Sequence, residues 1–71
     1  MDLNDSAVDL PRNRLWTVQE VSRYLGVSVH TLYYWRSTRQ GPRSALAGRH
    51  LRYRAADVDA WFDAEAAKGV A

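Results

Sequence analysis

Ser28, His30 and Asp57 supply the residue types of a hydrolytic triad, and His30 with His50 are the imidazoles available to a metal. Neither set has the spacing that its chemistry needs. No local pattern joins the three would-be triad members, and no glycine-rich loop is present to cradle a phosphate. The two histidines stand far apart without neighbouring carboxylates, and the chain has no cysteine to complete a site or to form a disulfide. No catalytic residue, metal, cofactor or small-molecule substrate is therefore expected. A chain of 71 residues also buries only about 60–65% of its unfolded surface, which leaves little room for an enclosed active site.

One kind of chemistry is well supplied. Residues 12–54 hold Arg12, Arg14, Arg23, Arg36, Arg39, Arg43, Arg49, Arg52 and Arg54 against Glu20 alone, a net charge of +8. Asp2, Asp5 and Asp9 precede this stretch, and Asp57, Asp59, Asp63 and Glu65 follow it with Lys68, so each end carries −3. The overall +2 conceals a basic centre between acidic ends. Such a distribution is the electrostatic footprint of a polyanion binder. The plainer alternative is a set of arginines that only solvates a surface. No apolar run approaches the ~18 residues of a membrane span, and Met1-Asp2-Leu3-Asn4-Asp5 does not read as a signal peptide. A cytoplasmic protein without a membrane partner is expected.

Three helices and a hairpin are needed to position these residues. Residues 1–13 show no sustained period and read as an acidic, flexible arm, with Leu3, Val8 and Leu10 free to dock elsewhere. Thr17-Val18-Gln19-Glu20 fits a capping box, and Val18, Val21 and Leu25 then recur on one helix face. Gly26 provides a left-handed stop. Ser28 offers a second N-cap, followed by Val29, Leu32 and Trp35 as the next apolar stripe. Helices over about 18–25 and 29–38 are thus joined by a very short turn, as in a helix-turn-helix. Ser44–Ala47 and Leu51–Arg54 read as strands with Gly48-Arg49-His50 at the tip, Leu51 and Tyr53 facing the core and Arg52 and Arg54 facing out. A last helix runs from Ala55 or Ala56 to Ala67, with Asp57 and Asp59 near its positive end and Val58, Trp61 and Phe62 facing inward. The expected fold is mainly α with a small β-hairpin, a winged helix-turn-helix. It spans residues 14–67, followed by a tail at 68–71.

With Leu32 at the centre of the buried face, ~100° per residue turns His30, Tyr34 and Ser37 outward and places Thr31 and Tyr33 on the flanks. This aromatic, hydrogen-bonding set suits a helix lying in the major groove. The alternative for Tyr33 and Tyr34 is a place in the core. Ser28 would hold a phosphate together with the free N–H groups of its helix start. Arg36 falls towards the core side, its stem packed and its head reaching the DNA backbone. Arg49 and His50, backed by Arg52, form a second candidate surface that reaches an adjacent minor groove. Thr17, Arg23, Arg39, Arg43 and Arg54 are the expected supporting phosphate contacts.

From Trp16 to Phe62 the chain resembles the excisionase-type DNA-binding domains related to the MerR-like winged helices. The strings that carry the likeness are Leu15-Trp16-Thr17-Val18-Gln19-Glu20-Val21, Tyr24-Leu25-Gly26-Val27-Ser28, Thr31-Leu32-Tyr33-Tyr34-Trp35, Gly48-Arg49, Arg52-Tyr53-Arg54 and Asp57-Val58-Asp59-Ala60-Trp61-Phe62. Each is weak alone; their order over two thirds of the chain is specific. The sequence departs from the family at Leu46, where a basic residue is common, and at Tyr33, where MerR-like helices often carry Arg. Either a phosphate contact is missing at Leu46, or this side chain meets a protein.

The resemblance implies double-stranded DNA as partner and one of two tasks. Excisionases (recombination directionality factors) of temperate phages and mobile elements bind tandem sites cooperatively and bend DNA, so that an integrase runs excision. Their place is on DNA in the cytoplasm of a bacterial host cell. The other task is that of a small MerR-like transcriptional regulator. True MerR regulators dimerise through a long C-terminal helix for which this sequence leaves no room, so a head-to-tail array of copies is the expectation. In such an array an acidic end could meet the basic middle of a neighbour. A protein-interaction module of the antirepressor kind, with no DNA partner, is the remaining alternative.

Overall fold

Two reciprocal hydrogen bonds in residues 17–20 start the helical part of the molecule. In the computed structural model, which describes residues 10–69, the Thr17 hydroxyl accepts from the Glu20 N–H at 3.1 Å. The Glu20 carboxylate accepts from the Thr17 N–H at 2.9 Å, closing the capping box. Helix α1 (Val18–Leu25) follows. It ends where Gly26 donates to the Ser22 carbonyl at 2.9 Å, and the Ser22 hydroxyl in turn donates to the Val27 carbonyl. Ser28 caps α2 (Val29–Ser37), its hydroxyl accepting from the Thr31 N–H at 3.1 Å. The intervening turn is residues 26–28, so the two helices form the expected helix-turn-helix.

The last turn of α2 is finished by tertiary fit. Gln40 donates its N–H to the Trp35 carbonyl at 2.6 Å. Gly41 then lies flat against the Trp35 ring, where a Cβ would come within 2.8 Å of Cε3.

The sheet has three antiparallel strands, β1 (Trp16–Thr17), β2 (Ala45–Ala47) and β3 (His50–Tyr53), in the order β1-β3-β2. Trp16 pairs with Tyr53 and Thr17 with Arg52, while Ala45, Leu46 and Ala47 pair with Arg52, Leu51 and His50. The hairpin is shorter than expected. Its tip is Gly48-Arg49 alone, with Gly48 at φ 70°, and His50 belongs to β3. A glycine in the left-handed region at the first turn position matches the twist of the strands and closes the loop in two residues. Strand β1 has no counterpart in the sequence reading.

Arg54 alone separates β3 from α3 (Ala55–Lys68). The core consists of Trp16, Val18, Val21, Leu32, Leu51, Tyr53, Ala55 and Val58, drawn from every element except β2. Leu10, Tyr24, Leu25, Val27, Val29 and Trp35 pack around it. Trp61 reaches α2, its ring 5.1 Å from that of Trp35. Phe62, expected to face inward, is instead 54% exposed. Val58 and Trp61 already fill the contact line of α3, and Phe62 is turned past it towards Tyr24 and Leu25.

Among the described residues, contact with the folded unit already includes Leu10, upstream of the expected start at residue 14. The Trp16 indole donates to the Pro11 carbonyl at 2.7 Å, and Arg12 meets Asp59 at 2.8 Å. Residues 1–9 of the expected arm, and 70–71 of the expected tail, lie outside the described residues. No helix among the described residues is long and apolar enough to cross a membrane.

Candidate nucleic-acid interface

The packing of α2 decides which of its side chains reach solvent. Leu32 is buried, with Val29 and Trp35 beside it. His30, Tyr33, Tyr34 and Ser37 are exposed, and their spacing of i, i+3, i+4 and i+7 makes them one face. Tyr33 and Tyr34 are 50% and 61% exposed, so neither is a core residue. Tyr33, expected on a flank, stands on this face, and Thr31 lies half-buried beside it. The Ser37 hydroxyl donates to the Tyr34 carbonyl, which keeps its oxygen available as an acceptor.

Ser28 is placed at the start of α2, but its hydroxyl already accepts from the Thr31 N–H and lies 3.0 Å from the Thr31 hydroxyl. Thr17 is likewise engaged as an N-cap. Both therefore shape helix starts. Arg36, expected to pack its stem towards the core, is exposed, and its head goes to Ser44, donating to the hydroxyl at 3.0 Å and to the carbonyl at 3.3 Å. It joins α2 to the segment that leads into β2. Arg49 projects at the hairpin tip, His50 is exposed on β3, and Arg52 is partly covered and donates to the Leu51 carbonyl.

The structure sorts the nine arginines into two groups, a division that charge counting missed. Arg12 pairs with Asp59, and Arg14 pairs with Glu20 through both terminal guanidinium nitrogens. These two are structural. The Arg14 guanidinium is the main reason that the Glu20 carboxyl is pushed down to about 2, against burial and with help from the Thr17 N–H. Asp59 is lowered chiefly by its hydrogen bond from Arg12, and the same carboxylate raises the Tyr24 phenol that donates to it at 2.9 Å.

Arg23, Arg36, Arg39, Arg43, Arg49, Arg52 and Arg54 pair with no acid among the described residues. Residues 21–56, which contain all seven, include no Asp or Glu. From Val21 to the end of the wing the chain is thus free of acids, while the acids of the described residues lie on α3 and at Glu20 in the first turn of α1. Such an array neutralises phosphates with no internal anion to displace. A sequence signal for this division existed: the unbroken run without acids begins just after Glu20.

No group of three or more His, Cys, Asp or Glu that could hold a metal occurs among the described residues. Residues 17–66, more than half of the chain, match the family model described as helix-turn-helix domain. No curated protein and no solved structure matches the chain.

Proposed function

We propose that this chain, which belongs to the helix-turn-helix domain family, is an excisionase that binds tandem sites on DNA cooperatively and bends it. As a helix-turn-helix protein it acts on double-stranded DNA. The observation that carries the reading is that the outward face of α2 and the wing contribute arginines, aromatics and hydroxyls and no acidic side chain of their own. In this reading α2 lies in the major groove, with His30, Thr31, Tyr33, Tyr34 and Ser37 against base edges and sugar–phosphate. Arg49 reaches the neighbouring minor groove, with His50 and Arg52 behind it. Arg23, Arg39, Arg43 and Arg54 meet flanking phosphates, while Ser28 and Thr17 present their helix N-termini to the backbone.

The resemblance of residues 16–62 to excisionase-type domains favours excision over regulation. It also supports a phage or mobile-element setting and an integrase as protein partner. One unit contacting about 5–7 phosphates binds weakly at physiological salt, which gives cooperativity between copies its purpose.

The test is selection from a random duplex pool at moderate salt, followed by sequencing of the retained DNA. Direct repeats at about one helical turn are expected. Inverted repeats would mark a dimeric regulator, and no enrichment at any salt would overturn the DNA reading altogether.

A further inference from the structure

We propose that the groove along the β2 edge of the sheet receives residues 1–9 of a second copy of this chain. The proposal rests on the tandem-site reading and names the contact that would make such binding cooperative. Leu15, Ala45 and Leu46 share a shallow groove with Arg43, Arg52 and Arg54, whose three charges outnumber the single carboxylate there, Asp57. Leu15 is 42% and Leu46 56% exposed. Strand β2 pairs only with β3, so its outer edge is open among the described residues.

Duplex DNA matches the arginines of this groove and leaves the leucines unexplained, because a phosphate backbone covers no apolar surface. A polypeptide that is acidic and also carries apolar side chains matches both. Residues 1–9 have that composition: Asp2, Asp5 and Asp9 interleave with Leu3 and Val8, and no lysine or arginine occurs among them.

Nine extended residues reach about 30 Å, far enough for residues 1–9 to leave their own copy. Leu10 packs on the core, and Arg12 is held by Asp59 and Tyr24 where α1 faces α3. Residues 11–15 lead from there to the groove, and Pro11 restricts Leu10 to extended backbone. The donating segment and the receiving face are therefore attached at opposite ends of one stretch. A contact between two such unlike surfaces is heterologous and propagates from copy to copy along DNA.

The test uses the full chain on duplexes carrying one or two copies of a selected site. One variant is Asp2→Asn/Asp5→Asn/Asp9→Asn; the other is Leu15→Ser/Leu46→Ser. Neither alters a residue placed on the DNA, so neither should lose single-site affinity, and the removal of three acids should raise it for the first variant. The wild type should fill two sites with about tenfold cooperativity, a plausible sum of several exposed charge pairs. Each variant should lose it.

An equimolar mixture of the two variants should regain cooperativity, because one still supplies an acidic segment and the other still supplies the face. A mixture that fails to regain it would mean that the segment folds onto its own copy, which overturns the proposal. Cooperativity retained in either variant also overturns it and turns attention to pairing between β2 edges. A wild type without cooperativity would remove the tandem-site reading as well.

Discussion

The Arg36 guanidinium lies 3.0 Å from the Ser44 hydroxyl, so α2 and the approach to β2 are joined by a side chain. The two surfaces proposed to meet DNA are therefore tied to each other. Arg36→Ala and Ser44→Ala are expected to weaken duplex binding severalfold and by similar factors, each costing only about 0.5–1 kcal/mol of stability. A double-mutant cycle on binding checks this. If Ser44→Ala binds like the wild type while Arg36→Ala does not, Arg36 acts by touching phosphate directly.

Arg49 stands alone at the hairpin tip with no acid partner among the described residues. Arg49→Ala should leave the thermal midpoint unchanged and weaken binding. The slope of log K against log salt should fall in magnitude by about one. Unaltered affinity in this variant would remove the wing from the interface.

Leu32 is 1% exposed and central to the core, whereas Trp61 is only partly covered and rests on Trp35. Leu32→Ala should cost ~2–5 kcal/mol, enough to unfold a domain of this size. Trp61→Ala should cost less, about 1–2 kcal/mol, mostly from the lost aromatic contact. Urea unfolding monitored by tryptophan fluorescence separates the two.

Acid should weaken the fold in a defined window. Glu20 titrates near 4.5 when unfolded and at about 2 in the fold. A lowered folded value means that the stabilisation is complete above pH 4.5 and disappears as pH falls through 2. Asp59, lowered by Arg12, loses its share in the same direction. The Glu20 contribution is about 1–2 kcal/mol once the exposure of Arg14 is allowed for. Glu20→Gln should be less stable at neutral pH and show a flatter pH dependence in acid, measured by denaturant unfolding.

Gly41 has φ 75° and touches the Trp35 ring. Gly41→Ala combines a disfavoured backbone with a clash against a packed indole and should cost at least ~1–2 kcal/mol. A midpoint equal to that of the wild type would show that the loop can move away from Trp35.

The elements legible in the sequence were those fixed by neighbours along the chain. The capping box at Thr17 and Glu20, the stop at Gly26 and the cap at Ser28 each depend on residues within a few positions. The helix-turn-helix follows from them. Strand β1 was not legible because two residues carry no period, and Trp16-Thr17 becomes a strand only by meeting Tyr53 and Arg52. Phe62 was placed inward because a helix pattern does not say how wide the opposing surface is.

At the interface, the outward face of α2 could be read from spacing. The roles of Arg12, Arg14 and Arg36 could not. Their partners Asp59, Glu20 and Ser44 are fixed by the fold, and side-chain charge alone treats all nine arginines alike.

Thr17 ends β1 and caps α1, and Arg54 alone lies between β3 and α3. Sheet and helices are thus joined directly at both points, and Arg36 ties the longer connection, residues 38–44, to α2. A body joined in this way has little room to wrap a target by changing its own shape. In the proposed reading, fit between the α2 face and the wing on a duplex then falls to the DNA, whose bending energy varies with its sequence. Base steps that no side chain touches would then still influence which sites are occupied, through how readily they yield.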